Sequence, residues 1–370
     1  MQYNEKERAW LWLNDVLGAA VQTTEKLLFC NDGLLPLFDS VKHGKQVKYP
    51  DTVSARSRAD LIKRCSESYI DSIISGLESK GVYAVTRDSA AYPRLLREIY
   101  DPPTVLFVKG RLEPEIRIPI AVIGSRKCSD YGREMAGYFG RELASHGACV
   151  ISGLALGCDS AAAEGALSAK NCDYPTVAVL GCGPDIVYPA SARGLYESIA
   201  SRGAVISEYK PGRKPTKDSF PQRNRIISGL SKGVLVVEAG ASSGTRITAE
   251  FAHEQGRDVF AVPGRITDLL SVGTNGLIKS GAAKPVFGVD DILYEYGVFL
   301  TEAEPPVKKP DTSSLSPEQK RICDLLLLGE KSADSICEST GFSVSEVNMY
   351  LTEMELSGII RQLPKGEYSL

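Results

Sequence analysis

The sequence is poor in the residues that metal sites and exported proteins require. It has only three histidines, His43, His146 and His253, and their wide separation argues against a multi-histidine metal site. Its nine cysteines include no C-x-x-C pair, which indicates small buried thiols of a reducing compartment rather than a disulfide framework or a zinc site. We therefore expect a cytoplasmic protein that has no metal ion and no cofactor.

Long apolar runs and export signals are also missing. No apolar run reaches the roughly 18 residues that a membrane helix needs. The charged start of the chain is not followed by an apolar segment with a cleavage site. The sequence therefore predicts a protein that is neither exported nor inserted in a membrane. Its 370 residues exceed one ordinary core and suit two or three domains.

The chain has little net charge overall but a strong local excess of basic residues. The formal net charge is −3, which by itself does not indicate a polyanionic partner. Between residues 202 and 232, however, eight basic residues and two acidic ones leave a local charge of +6. The basic residues are Arg202, Lys210, Arg213, Lys214, Lys217, Arg223, Arg225 and Lys232. This run indicates an anionic ligand, and a solvated surface loop is the alternative.

Three regions of the chain differ in pattern. In residues 1–85, apolar residues such as Leu13, Val16 and Leu17 recur at helical spacing and predict a small helical domain. Residues 86–295 alternate short apolar runs with segments of helix length. The runs are Ile120–Ile123, Cys149–Ser152, Thr176–Leu180, Ala204–Ser207, Val234–Val237 and Val259–Val262. Each is apolar on both faces, so together they predict buried parallel strands of a doubly wound, mainly parallel, Rossmann-like α/β sheet.

The third region follows a linker over residues 296–314 that is rich in proline and charge. Residues 315–370 carry signals for three helices and a closing hairpin over 359–370 with a turn at Lys365-Gly366. The helix signals are Ser316-Pro317 for the first, Ser332 and Gly341 for the second, and Ser343 with Glu346 for the third. This order predicts a winged-helix domain.

Glycine-rich turns follow five of the predicted strands, at the edge where an open parallel sheet binds its ligands. They contain Gly124-Ser125-Arg126, Ser152-Gly153 through Asp159, Gly181-Cys182-Gly183, Glu238 through Thr245, and Pro263-Gly264. Glycine lets the backbone approach a ligand, and serine and arginine suit phosphate. A single turn of this kind is as easily explained by the fold alone. Five of them favour an anionic ligand, although Ile186 replaces the third glycine of a dinucleotide fingerprint.

The most specific segment is the run from Phe220 through Arg223, Asn224 and Arg225. Arg223 and Arg225 are two residues apart and would not share one face of a helix, but at a helix start both can reach one cavity mouth. Arginine suits phosphate, and phenylalanine can stack on an unpaired base. The alternative is a salt-bridged helix, and for Phe220 a position in the core is favoured. We expect at least one of the two arginines to contact phosphate.

Several segments together resemble the DprA/Smf (DNA-processing) family, in its usual order. They are Gly124–Arg126, Ser152–Asp159, Phe220–Ser231, Ser243–Ala249 and Gly273–Ala282, with Tyr92–Gly110 resembling the family's lead-in to its Rossmann-like domain. The match is close over about residues 90 to 290. The flanking regions fit the family's layout, which has a small helical domain of the SAM or HhH type before the sheet and a winged helix after it.

The resemblance implies a protein that is not an enzyme. It would bind single-stranded DNA without sequence preference, form a homodimer and load RecA recombinase onto incoming strands in natural transformation. By resemblance, Arg126, Lys214, Arg223 and Arg225 would hold phosphates. The other expected site residues are Gly124, Ser125, Ser152, Gly153, Phe220, Asn224, Ser243, Gly244 and Thr245. Leu156, Cys158 and Ala163 depart from the residues usual in the family's second motif, and none of the three offers the polar contacts of the usual arginine and histidine.

Two other functions are consistent with parts of the sequence. A Rossmann-like nucleotide phosphoribohydrolase has a motif that Ser243-Gly244-Thr245 loosely matches, but Thr248 stands at the position of its catalytic glutamate and Glu250 is displaced by two residues. A transcriptional regulator would read DNA with the segment 345–356, which contains three glutamates and no lysine or arginine. The winged helix is therefore interpreted as a protein-contact module or, equally, as a stabilising appendage.

Overall fold

The computed structural model describes residues 2–170, 172–241, 244–300, 315–363 and 366–370. By its internal packing the chain divides into two compact units, Met1–Ala303 and Glu304–Leu370. None of the helices in the described ranges combines the length and apolar character of a membrane span.

A mixed sheet of nine strands, counted over the described residues, is the centre of the larger unit. Its strands are β1 (Tyr83–Thr86), β2 (Val105–Gly110), β3 (Pro119–Ile123), β4 (Cys149–Ser152), β5 (Thr176–Val179), β6 (Ala204–Ser207), β7 (Gly233–Val236), β8 (Asp258–Ala261) and β9 (Lys284–Pro285). Their order across the sheet is β1-β2-β6-β5-β4-β3-β7-β8-β9. The order reverses between β3 and β7, and such a reversal opens a crevice at the carboxyl ends of the strands.

The six strands predicted from the sequence correspond to β3 through β8, and they pair with one another in parallel. Ala121 of β3, for example, lies between Ile151 of β4 and Val234 of β7. The doubly wound α/β class is therefore confirmed. The sequence analysis did not predict β1 and β2, which add antiparallel strands beside β6, or the short β9 beside β8.

Helices cover both faces of the sheet. They are α6 (Arg94–Arg97), α7 (Asp130–Ser145), α8 (Cys158–Ser168), α9 (Arg193–Arg202), α10 (Ser219–Gly229), α11 (Thr245–Glu254), α12 (Val272–Lys279) and α13 (Asp290–Leu293), numbered after five helices at the start of the chain. One apolar core includes Ile226 of α10 and Ala249 of α11. A second core contains Phe139 of α7 and Ala162 of α8.

Five short helices precede the sheet: α1 (Glu5–Leu17), α2 (Val21–Cys30), α3 (Leu34–Lys42), α4 (Ala55–Lys63) and α5 (Glu67–Glu78). Asn4 and Glu7 form a capping box at α1. Trp10 and Trp12 are fully buried in a core that also takes Val105 and Phe107 from β2. The helices therefore share apolar packing with the sheet, and the boundary expected between residues 85 and 86 falls inside β1.

The smaller unit has the helix and strand order of a winged helix. Its elements are α14 (Pro317–Leu327), β10 (Lys331–Ser332), α15 (Ala333–Thr340), α16 (Val344–Leu356), β11 (Arg361–Gln362) and β12 (Glu367–Ser369). Ser316 and Gln319 form a capping box at α14, and Ser343 and Glu346 form one at α16. Gly341 ends α15 in the left-handed conformation. The predicted helix signals are thus confirmed, whereas Lys365 of the predicted turn and most of the predicted linker lie outside the described residues.

Candidate functional site

A cavity of about 770 Å³ opens at the carboxyl edge of the sheet, beside the reversal between β3 and β7. We call it the edge cavity. It is lined by Ile123–Lys127, Ala155, Asp159, Tyr188, Lys217, Phe220, Pro221, Arg223, Asn224, Ile227, Gly244, Thr245, Ile247 and Thr248. Eight of the thirteen expected site residues are among them: Gly124, Ser125, Arg126, Phe220, Arg223, Asn224, Gly244 and Thr245.

The turn after β3 is held in place by its own backbone. The Ser125 N–H donates to the Glu238 carbonyl at 2.9 Å, and the Ser125 carbonyl accepts from the Cys158 N–H at 3.2 Å. Residue 124 must be glycine because a Cβ there would lie 2.5 Å from Cys158 Sγ. The turn therefore packs against the start of α8 and presents the exposed side chain of Arg126 at the cavity.

Phe220 lies in the cavity wall rather than in the core. Its ring is half-buried, and the Arg126 guanidinium carbon is 5.1 Å from the ring centroid. The Tyr188 ring lies 5.6 Å away, tilted by 35°. The core position favoured from the sequence is therefore wrong, because Phe220 occupies the first turn of α10, at the end of that helix that borders the cavity.

Arg223 is buried at the base of the edge cavity. Only 3% of it is exposed, and its Nη1 donates to the Gly153 carbonyl at 2.7 Å and also to the Val179 carbonyl. Burial lowers the pKa of Arg223 to about 10, and the charge of Asp159 opposes this effect only in part. The guanidinium therefore stays charged at neutral pH and joins α10 to the ends of β4 and β5.

Ser152 and Gly153 do not line the edge cavity. The Gly153 N–H donates to Asp159 Oδ2 at 2.9 Å, and the Gly153 carbonyl is taken by Arg223. Ser152 is fully buried. Burial raises the pKa of Asp159, and the charge of Arg223 acts in the opposite direction. The turn after β4 was expected to hold an external anion, and this expectation is wrong. The carboxylate of Asp159 already accepts the hydrogen bond from the Gly153 N–H that such an anion would take.

Arg225 points away from the edge cavity. Its Nε donates to Asp101 Oδ2 at 2.8 Å and its Nη2 to Glu208 Oε2 at 2.7 Å. Because α10 begins at Ser219, both arginines lie in regular helix. The side chains of residues two positions apart in a helix point about 200° apart around the helix axis. The expectation that Arg223 and Arg225 reach one mouth is therefore wrong, and two carboxylates neutralise Arg225.

The basic run is divided among several parts of the surface. Lys210 pairs with Asp15 at 2.8 Å, Arg202 donates to backbone carbonyls, and Lys214 is exposed and does not line the cavity. Only Lys217 and Arg223 of the run line the edge cavity. The other cations there are Arg126 and Lys127, from the turn after β3.

Four cations and one carboxylate therefore line the edge cavity within the described part of the chain. The helix α11 adds to this positive charge, because it begins at the cavity and has no acidic residue in its first turn. Ser243, which was also expected here, lies outside the described residues.

Sequence reasoning missed four charged or aromatic residues of the lining: Lys127, Asp159, Tyr188 and Lys217. Asp159 ends one of the glycine-rich turns and Lys217 belongs to the basic run, but neither was assigned to the site. Lys127 directly follows the Gly-Ser-Arg turn. Nothing in the local sequence marks Tyr188, which reaches the cavity only through the fold.

Among the described residues, no glutamate lines the cavity where a phosphoribohydrolase would need one. Thr248 lines it and is 2% exposed, whereas Glu250 does not line it and lies 3.9 Å from Arg246 on the surface. Over the residues that the structure describes, no group of three or more histidine, cysteine or acidic side chains could hold a metal ion.

Two family models match the chain. The model described as DNA recombination-mediator protein A matches residues 83–297, and the DprA winged helix domain matches residues 305–366. Among curated proteins, the chain is 39% identical over 308 residues to Protein Smf of Escherichia coli K12, covering 80% of each. It is 46% identical over 206 residues to DNA processing protein DprA of Streptococcus pneumoniae R6, covering 55% of this chain and 71% of that protein.

Solved structures give the same picture. The X-ray structure of DprA from Streptococcus pneumoniae matches with a TM-score of 0.64 and 34% identity, covering 82% of this chain and all of that one. A structure of DNA processing protein A from Helicobacter pylori, described for its single-stranded DNA binding mode, matches with a TM-score of 0.53 and 30% identity. It covers 58% of this chain and 95% of that one.

Proposed function

Since the chain belongs to the DprA/Smf family of DNA recombination-mediator proteins, we propose that it binds single-stranded DNA, without sequence preference, in the edge cavity. The observation that carries the proposal is the charge of this cavity. Arg126, Lys127, Lys217 and Arg223 line it, and its one described carboxylate, Asp159, is already bonded to the chain. An anionic polymer is the ligand that such a surface attracts.

The exposed cations are the groups suited to phosphate. Arg126, Lys127 and Lys217 all lie at the solvent-exposed part of the cavity. A guanidinium can donate two hydrogen bonds to one phosphate, and an ammonium acts as a point charge. Arg223 has a different role, because its Nη1 is committed to backbone carbonyls. It positions the β4 turn and adds its charge to the cavity.

Stacking on aromatic rings explains why a single strand would be preferred to a duplex. Phe220 and Tyr188 lie side by side at the cavity, and the bases of a duplex already stack on each other. An unpaired base can stack on a ring whatever its identity, so this contact carries no sequence preference.

The winged-helix domain lacks the charge of a DNA reader. Its helix α16 exposes Val344, Met349 and Leu356, and its acidic residues include Glu346 and Glu353. We infer that this domain contacts protein. The family resemblance suggests RecA or a second copy of the chain as the partner. Loading of RecA, protection of incoming DNA during natural transformation, homodimer formation and a cytoplasmic location are parts of this proposal that rest on the resemblance.

Fluorescence anisotropy with labelled oligo-dT, compared with a duplex of equal length over a salt series, tests the proposal. We expect tight binding of the single strand that weakens steeply with salt, since each phosphate contact adds about 0.7 to the slope of log K against log salt. Equal affinity for the duplex and the single strand at moderate salt would contradict the account.

A further inference from the structure

A second cavity lies at the opposite edge of the sheet from the edge cavity. Its volume is about 380 Å³, and it is lined by residues 93–95 before and within α6, by residues 114–118 before β3, and by Leu230 and Lys232 between α10 and β7. Because these residues border the amino ends of β3 and β7, we call it the amino-edge cavity. The predicted ligand site at the carboxyl ends does not include it.

Among the described residues, three cations and one carboxylate, Glu115, line the amino-edge cavity. Arg94 lies 3.8 Å from Glu98 and 3.9 Å from Glu115, and all three side chains are mostly exposed, so these pairs hold Arg94 only weakly. Neither Arg117 nor Lys232 forms an ion pair with a described carboxylate. The amino-edge cavity therefore has an excess of positive charge that no described acidic side chain neutralises.

The backbone beside these cations is strained. Ile118 has a φ of 41°, in a region that β-branched residues rarely adopt, although it is 8% exposed and borders the strand β3. Its carbonyl accepts from the Cys149 N–H at 3.1 Å, and the neighbouring Pro119 carbonyl accepts from the Lys232 N–H at 2.8 Å. These bonds fix the backbone on either side of the cavity, and strained positions of this kind concentrate at functional sites.

A structural role is the alternative for two of the cations. The Arg117 guanidinium lies over Gly147, just after the end of α7. The carbonyl groups at the end of a helix stabilise a positive charge there. Lys232 also has a contact within the protein, since its ammonium lies 5.7 Å from the centroid of the Tyr296 ring, which is within the range of a cation–π interaction. If the role of Arg117 is purely structural, its replacement changes the stability of the protein and leaves the binding of any ligand unchanged.

We propose that the amino-edge cavity is a second site for a phosphate group, held by Arg117 and Lys232 with Arg94 at its rim. The helix α10 joins the two cavities, since its first residues line the edge cavity and its C-cap Leu230 lines the second. Eleven residues of helix span about 16 Å, which a few nucleotides of an extended strand can cover. The phosphate is therefore assigned to a strand that continues from the edge cavity, a point that rests on the proposed function.

Binding assays with the variant Arg117→Gln/Lys232→Gln test this assignment, because glutamine removes the charge and keeps part of the stem. The matched control is Lys63→Gln/Lys279→Gln, which removes two exposed charges that line neither cavity. The probes are labelled oligo-dT of about 2 and about 30 nucleotides, read by anisotropy, and pyrophosphate, read by calorimetry. Urea unfolding checks each fold, and the single variant Lys232→Gln replaces the double variant if that does not fold.

We expect the double variant to bind the long strand several-fold more weakly and with a shallower salt slope, while the short strand binds as in the wild type. Loss of pyrophosphate binding alone, with both strands unaffected, supports the phosphate site but assigns it to a free phosphate compound. If the wild type binds neither strand, the proposed function fails and the pyrophosphate titration decides the second site separately. Identical behaviour of wild type and variant toward all three probes overturns the inference.

Discussion

Gly153 and Arg223 fit so closely that a Cβ at residue 153 would lie 2.4 Å from Arg223 Nη1. The guanidinium cannot easily move, because the carbonyls of Gly153 and Val179 hold it in a buried position. The glycine in the turn after β4 is thus required by an arginine 70 residues later in the chain. A residue expected to contact ligand instead shapes the base of the cavity.

Gly153→Ala is predicted to lower the free energy of unfolding by about 1–3 kcal/mol, since the added methyl group overpacks the guanidinium. Urea denaturation measures the loss. Gly194→Ala in α9 is the control, because a Cβ there meets no atom within 4 Å, and it should cause no loss. Equal stability of the two variants would show that Arg223 does not occupy this position in solution.

Arg225→Ala is predicted to destabilise the protein by about 3–5 kcal/mol, because it leaves the buried carboxylate of Glu208 without its partner. Replacing both residues, as Arg225→Met/Glu208→Met, should recover most of this loss. The double variant should also bind oligo-dT like the wild type, since Arg225 faces away from the edge cavity. A stable double variant that no longer binds oligo-dT would restore Arg225 to the DNA site.

Phe220→Ala is predicted to weaken oligo-dT binding by about 1–3 kcal/mol through the loss of one stacking ring. Phe220→Trp keeps an aromatic face and should bind close to the wild type. Tyr100→Ala removes a 93% exposed ring that does not line the edge cavity and serves as the control. Anisotropy titrations compare the three variants, and an unchanged affinity for Phe220→Ala would remove stacking from the account.

Asp15 is predicted to make stability depend on pH in the acid range. Burial raises the pKa of Asp15, but bonds and charges from Lys210 and Arg64 and the bond from the Tyr69 hydroxyl outweigh it and hold the pKa below its usual 3.8. A lowered pKa means that the stabilisation is present above pH 3.8 and is lost as the pH falls through the native pKa. Asp15→Asn should therefore be less stable at neutral pH and lose less stability on acidification.

Urea midpoints measured from neutral pH down to about pH 3 compare Asp15→Asn with the wild type. Asp51→Asn, which changes an exposed carboxylate, is the control. Parallel curves for the wild type and Asp15→Asn would mean that Asp15 is not bound to Lys210 and Arg64 in the folded protein.

The fold could be predicted largely from local pattern. Runs such as Cys149–Ser152 are apolar on both faces, and this pattern is typical of a strand that is covered on both sides of a sheet. The helix starts at Ser316 and Ser343 were equally local, since Pro317 directly follows the first and Glu346 lies three positions after the second. The strand β9 was missed because its two residues carry no periodicity.

The site was less predictable because contacts with residues far away in the sequence determine which side chains face the cavity. Arg223 and Arg225 look alike in the sequence, yet one meets the carbonyls of Gly153 and Val179 and the other meets Glu208 and Asp101. No local signal indicates which arginine faces the cavity once both lie within one helix. The count of basic residues between 202 and 232 had the same limit. It could not show that Lys217 lines the cavity while its basic neighbours in the sequence lie elsewhere on the surface.

The most direct test of the account is the salt dependence of oligo-dT binding by Arg126→Gln/Lys217→Gln, compared with the control Lys63→Gln/Lys279→Gln. The two cavity residues belong to different segments, and both line the edge cavity. The account predicts weaker binding for the cavity variant and a salt slope smaller by about 0.7 for each phosphate that the variant no longer binds, with the control close to the wild type. Equal affinities and equal slopes for the two variants would contradict the placement of single-stranded DNA in this cavity.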